Sequence, residues 1–231
     1  MDTPFDGAVL AKIFETAARF GTEINALTDM LCDLFSKEIP NTKPSLKCCI
    51  AGDPKVKWRP DDSSWVCTDV AFNIPLIANT KRKTEPANTK RKAEPDMYIG
   101  FQISLARDGI AIPGNEKPLL HVFFWDVAAD FDGYYTSFPM GEDEPASGLE
   151  VVENRILVWA DEASNDWAAR QWTFSLQLTS LNSKADLQKC IIAPSIALLS
   201  GKPILEALPA NLPGLIFYPG INELLIRPDE V

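Results

Sequence analysis

Beyond Pro40 the apolar residues of this chain recur at every second position, run after run, a pattern that only the strands of a sheet can use. In "WTFSLQLTSL" Trp172, Phe174, Leu176 and Leu178 share one side, and Thr173, Ser175, Gln177 and Thr179 share the other. "YIGFQISLA" sets Ile99, Phe101, Ile103 and Leu105 against Tyr98, Gly100, Gln102 and Ser104. In "WVCTDVAFNIPLI" Val66, Val70, Phe72, Ile74 and Leu76 oppose Trp65, Cys67, Asp69, Ala71 and Asn73. "LLHVFFWDV" is apolar on both sides, which predicts a central strand, and "NRILVWAD" predicts another. Short strands are expected at 215–218 and 224–226.

Before Pro40 the period is helical. Thr3, Pro4 and Asp6 suit a helix start, and Leu10, Ile13, Phe14 and Ala17 follow at helical spacing. Gly21-Thr22 reads as a stop and restart, after which Ile24, Leu27, Leu31, Leu34 and Phe35 resume the stripe. The expectation is one bent helix or a helical hairpin. A second helix is expected from Asp186 to Gly201, disturbed at Pro194. Strands with one polar face indicate an antiparallel sheet covered on one side by helices. The fold class is therefore α+β, as one domain over residues 1–231, with the helix or hairpin packed on a mostly antiparallel sheet.

The stretch 78–95, "ANTKRKTEPANTKRKAEP", interrupts this pattern. A nine-residue unit is written twice, differing only at Thr84 and Ala93. It holds no large apolar residue, and its composition is that of a flexible loop. The stretch as a whole carries +4, leaving −14 on the rest of a chain whose net charge is −10. Doubling a flexible loop costs only ~0.6 kcal/mol of closure entropy, so a tolerated insertion is the plainer reading. The functional one is a basic arm that contacts phosphate through Lys81, Arg82, Lys83, Lys90, Arg91 and Lys92. It lacks aromatic residues for stacking on bases, so it would position a nucleic acid rather than read it.

An acidic body argues against a dedicated nucleic-acid binder and favours basic protein partners. No stretch reaches the length of a membrane span, and the first ten residues do not resemble a secretory leader, so a soluble, cytoplasmic protein is expected. The five cysteines fit no metal-ligand spacing and read as reduced thiols. His121 is the sole histidine, which leaves nucleophilic catalysis with one base, and it lies within an apolar strand. "GIAIPGNEK" has glycines at P-loop spacing, but Asn115 and Glu116 stand where Lys and Ser/Thr belong, so it reads as a loop between strands.

Carboxylates are the remaining chemical resource. Asp126, Asp130 and Asp132 close the central strand and are candidate metal ligands. Asp69 followed by Gln102-Ile103-Ser104 resembles the pattern of restriction-endonuclease-type nucleases, an Asp on one strand and Glu-x-Lys on the next. Here Gln102 stands for the Glu and Ser104 for the Lys, which removes the second carboxylate and the charged lysine that such chemistry uses. The resemblance implies a metal-dependent hydrolase or a degenerate nuclease as an alternative function.

The segment "FDGYYTSFPMGEDEP" combines aromatic residues with a run of acid in a loop. Tyr134, Tyr135, Phe138, Glu142, Asp143 and Glu144 are the residues expected to grip a basic protein partner. The first expectation is thus a non-enzymatic interaction factor such as an inhibitor, an immunity or counter-defence protein, or a complex subunit. No cofactor or membrane contact is expected, nucleic acid is a partner only through 78–95, and self-association is left open.

Overall fold

The computed structural model describes residues 7–39, 46–48, 56–63, 66–78, 95, 97–140, 148–159 and 171–225. The architecture is α+β: helix α1 (Gly7–Glu38), then an antiparallel sheet, then a short helical region. The strands are β1 (Leu46–Cys48), β2 (Lys57–Pro60), β3 (Cys67–Ala78), β4 (Met97–Ser104), β5 (Leu119–Trp125), β6 (Leu149–Val152), β7 (Ile156–Trp159) and β8 (Gln171–Gln177). Their order is β1-β3-β4-β5-β8-β7-β6, with β2 beside β1 along the same outer edge of β3. Every pairing is antiparallel.

Helix α1 is a single uninterrupted helix. A Cβ at Gly21 would meet nothing within 4 Å, so no packing demand forces a break there. Thr22 bonds back to the Ala18 carbonyl at 3.2 Å and continues the turn. The expected cap at Thr3, Pro4 and Asp6 lies outside the described residues. The second helical run covers 184–199, close to expectation, as α2 (Lys184–Leu187), a π-helical turn (Gln188–Ile192) and α3 (Ala193–Leu199). Pro194 cannot donate to the carbonyl four residues back and crowds it, and the wide turn just before it absorbs the conflict. Ser183 caps the start by accepting the Asp186 N–H. Gly201, at φ +75°, ends the run, and the Lys202 N–H returns to the Ala197 carbonyl. Two further helical turns follow, α4 (Ile204–Ala207) and α5 (Ile221–Leu224). Of the strand expected at 224–226, Leu224 instead closes α5, and Ile226 lies outside the described residues. The one at 215–218 is reduced to a single bridge between Leu215 and Leu176.

The main core lies between α1, the second helical run and one face of the sheet. Alternation supplies that face: Val70, Phe72, Ile74, Ile99, Phe101, Val122, Trp172 and Phe174 are all 0% exposed. Phe35 of α1 rests on Phe101, ring centres 5.5 Å apart, and Phe101 stacks on Phe72 at 4.8 Å. Removing such a buried ring costs ~3–5 kcal/mol.

The opposite face departs from expectation. It is polar, yet it is not solvated. Asp69, Gln102, Ser104, His121, Thr173 and Ser175 are each 0% exposed. The chain between β4 and the turn after β5, together with the segment after Leu215, covers them. A second apolar cluster around Leu119, Phe138, Leu157 and Tyr218 seals this cover.

Candidate functional site

Register builds the polar band. Asp69 pairs with Ser104, and in the neighbouring row Gln102 pairs with His121 and His121 with Ser175, so the side chains form two adjacent rows on one face of β3, β4, β5 and β8. Buried polar groups must find partners, and these organise the cover. The Gln102 amide oxygen accepts from the Thr136 N–H at 2.7 Å, and its nitrogen donates to the Thr136 carbonyl at 2.7 Å. The same nitrogen reaches Ser104 Oγ at 2.9 Å. One side chain thus pairs with a loop backbone as a strand would.

His121 holds two other parts of the cover. Its Nε2 lies 2.8 Å from the Gly109 carbonyl, which can only accept, so Nε2 carries the proton. Nδ1 is then the acceptor for Ser175 Oγ at 2.6 Å, and Ser175 accepts in turn from the Tyr218 hydroxyl at 2.6 Å. Burial pulls the His121 pKa down to about 4, against the opposing Gly109 bond. The imidazole is neutral and closed off, and burial likewise raises the Tyr218 phenol well above its ordinary value. Ser175, His121 and Tyr218 contain the groups of a nucleophile and base, but all three are at most 1% exposed.

Asp69, Gln102 and Ser104, the trio with the nuclease-like spacing, do come together: Asp69 Oδ1 lies 3.4 Å from Gln102 Nε2. Asp69 is held under the turn Arg107–Ile110, where a Cβ on Gly109 would collide with Ser104 Oγ and Asp69 Oδ1. Burial raises the Asp69 pKa, against bonds from Ser104 and Thr68 and the charge of Arg59. Its Oδ2 has no hydrogen-bond partner among the described residues, and Arg59 Nη1 is 3.9 Å away. That guanidinium serves Asp108 first, at 2.9 Å. The charge facing Asp69 is therefore an arginine, and Gln102 brings no second carboxylate.

Asp126, Asp130 and Asp132 do not converge, which corrects the metal expectation. Asp130 Oδ1 accepts the N–H groups of Asp132, Gly133 and Tyr134 at 3.1, 3.1 and 3.4 Å, so its carboxylate shapes a turn. Among the described residues no three His, Cys, Asp or Glu side chains group to hold a metal ion. Cys32 and Cys190 are buried and Cys67 is half-buried, and none of the three is in a disulfide with another described cysteine.

The turn that Asp130 shapes forms one wall of a cleft of about 640 Å³. Trp125 and Trp159 line it, in an edge-to-face pair with ring centres 6.0 Å apart. Trp125 stacks on Phe123 at 4.0 Å, and its Nε1 donates to Thr173 Oγ1 at 3.1 Å, which fixes that wall. Tyr134, 54% exposed, and Tyr135 complete the aromatic lining. Asp126 and Asp108 supply carboxylates to the same space. The Arg59 guanidinium lies over the Tyr135 ring, 4.7 Å from its centre.

Of the six residues expected to grip a partner, Tyr134 and Tyr135 line this cleft. Phe138 also reaches it, but at 3% exposure its ring belongs to the second core cluster beside Tyr218, so its expected role as a surface contact is corrected. Glu142, Asp143 and Glu144 lie outside the described residues. So do Lys81, Arg82, Lys83, Lys90, Arg91 and Lys92, in the segment that joins the paired strands β3 and β4. Trp125, Trp159 and Asp108 were missed as site residues; a Trp at each of two strand ends, Trp125 and Trp159, was the available signal. Among the described residues no helix is long and apolar enough to cross a membrane. No model of a known protein family, no curated protein and no solved structure matches this chain.

Proposed function

We propose that this protein acts by binding, and that it grips a basic side chain of another protein in the aromatic-acidic cleft. The observation that carries the reading is the cleft's chemistry: tryptophan and tyrosine residues line it together with Asp108 and the exposed Asp126. Aromatic faces attract cations by ~0.5–2 kcal/mol, more as water is excluded. Tyr135 already holds a guanidinium, that of Arg59, which is the kind of group the cleft suits. Asp126 is exposed and makes no side-chain ion pair among the described residues, so it can meet an incoming arginine or lysine. The net charge of −10 steers basic partners toward the molecule. The potential catalytic groups, His121 and Ser175, are sealed in the interior, which supports binding over chemistry. A fluorescence titration tests this, because Trp125 and Trp159 report on the cleft. An arginine-rich peptide should shift tryptophan emission saturably and a glutamate-rich peptide should not; equal responses to both would remove the reading.

A further inference from the structure

Arg59 stands between two carboxylates. On one side its Nη1 donates to Asp108 Oδ2 at 2.9 Å and to Oδ1 at 3.2 Å, so a single nitrogen takes both oxygens. On the other side Asp69 Oδ2 lies 3.9 Å away, buried and without a hydrogen-bond partner among the described residues. Register explains the second neighbour. Arg59 of β2 is the cross-strand partner of Asp69 of β3, so a turn of the arginine side chain closes that gap with no change in the backbone. The pair with Asp108 is not sealed in, since the two side chains are 26 and 30% exposed.

The two groups that hold Arg59 also line the cleft. Asp108 and Tyr135 are among its walls, whereas Arg59 and Asp69 are not. Together they form a seat that a guanidinium already fits, a carboxylate beside an aromatic ring whose centre is 4.7 Å from the Arg59 Cζ. A guanidinium presents five donors in a planar fork and stacks on rings, whereas an ammonium is a compact, strongly hydrated point charge. Such a seat favours arginine over lysine. An incoming arginine finds both Asp108 oxygens engaged, and it gains them only as Arg59 lets go. Asp69 then receives the released guanidinium, and the same movement gives its unused oxygen a partner. A buried carboxylate without its full set of partners is costly, which favours the exchange.

We infer that the cleft is selective for arginine, and that Arg59 is its internal stand-in, passing from Asp108 and Tyr135 to Asp69 when a partner's arginine takes its place. This rests on the cleft as a seat for a basic group. Calorimetric titration of a peptide with a single arginine, and of its lysine counterpart, tests it on four forms of the full chain: wild type, Asp69→Asn, Arg59→Gln and the double variant. The wild type should bind the arginine peptide at least about threefold more tightly than the lysine peptide. Asp69→Asn should weaken arginine binding about three- to tenfold by removing the charge that receives Arg59, although Asp69 is 0% exposed and does not line the cleft. Asp69→Ala, which cannot accept a bond from Arg59 at all, should act in the same direction, and urea midpoints check that each form folds. Arg59→Gln should tighten binding by about threefold or more, because the competitor is gone. In the double variant the effect of Asp69→Asn should vanish, since no arginine is left to receive. Loss of negative charge alone would weaken binding equally with and without Arg59, and that outcome overturns the inference. So does Arg59→Gln that binds no more tightly than wild type, or equal affinity for the two peptides. In each of these cases the cleft still binds, and only the exchange is lost. Failure of every form to bind either peptide removes the cleft reading itself, and the inference with it.

Discussion

His121 and Ser175 face each other across paired strands with Nδ1 and Oγ 2.6 Å apart, in a position that no solvent reaches. A histidine against a serine suggests a nucleophile and its base. The third member decides otherwise, because Nε2 donates to a backbone carbonyl, that of Gly109, and no carboxylate stabilises an imidazolium. The trio with Tyr218 ties two strands to their cover. Replacing His121→Phe leaves the Ser175 hydroxyl and the Gly109 carbonyl with fewer partners in a dry place. It should destabilise the fold by ~2–4 kcal/mol, read as a lower urea midpoint.

The same residue makes stability depend on pH. Its folded pKa is about 4 against an ordinary 6.5, so between these values the unfolded chain binds the extra proton. Stability from this group is full above pH 6.5 and falls as the pH drops toward 4, by up to ~3 kcal/mol. His121→Phe should flatten that stretch of the profile. A parallel decline in variant and wild type would place the proton uptake elsewhere.

Asp69 has the opposite sign. Its folded pKa is raised, so the buried charge opposes folding at neutral pH and the penalty fades as pH falls through the folded value. Asp69→Asn should raise the melting temperature at pH 7, and the gain should shrink toward pH 4. A lower melting temperature at pH 7 would show that attraction to Arg59, at 3.9 Å, outweighs burial.

How much of this was legible follows from what alternation encodes. It tells which residues share a face, and so the α+β class, five of the strands and the main core could be read from the spacing of residues such as Phe101 and Phe174. It does not tell whether the other face meets water. The cover over Gln102 and His121 comes from loops with no period, and cross-strand register, invisible in one sequence, aligns the band. Phe138 read as surface because it lies in a loop, yet it is 3% exposed because that loop folds back as a lid over the sheet. Gly21 read as a break because glycine disfavours helices, but the loss of ~1 kcal/mol at one position does not stop a helix of 32 residues.

Gln102 links the band to the cleft, since its two bonds to Thr136 hold the loop that carries Tyr134 and Tyr135. Gln102→Ala should destabilise the fold by ~2–3 kcal/mol by leaving the Thr136 backbone unpaired. It should also weaken basic-peptide binding, although Gln102 is buried and does not line the cleft. Unchanged affinity in a destabilised variant would separate the loop from the recognition surface.

The account rests on the cleft as a seat for a basic group, and calorimetric titration of an arginine-containing peptide into paired variants tests that most directly. Asp126→Asn removes the rim charge and Tyr134→Ala an exposed ring, and neither supports the core. Each should weaken binding about three- to tenfold, equivalent to ~0.7–1.4 kcal/mol, and raised salt should diminish the Asp126 effect more than the Tyr134 effect. Peptide affinity that is the same in wild type, Asp126→Asn and Tyr134→Ala would contradict the account.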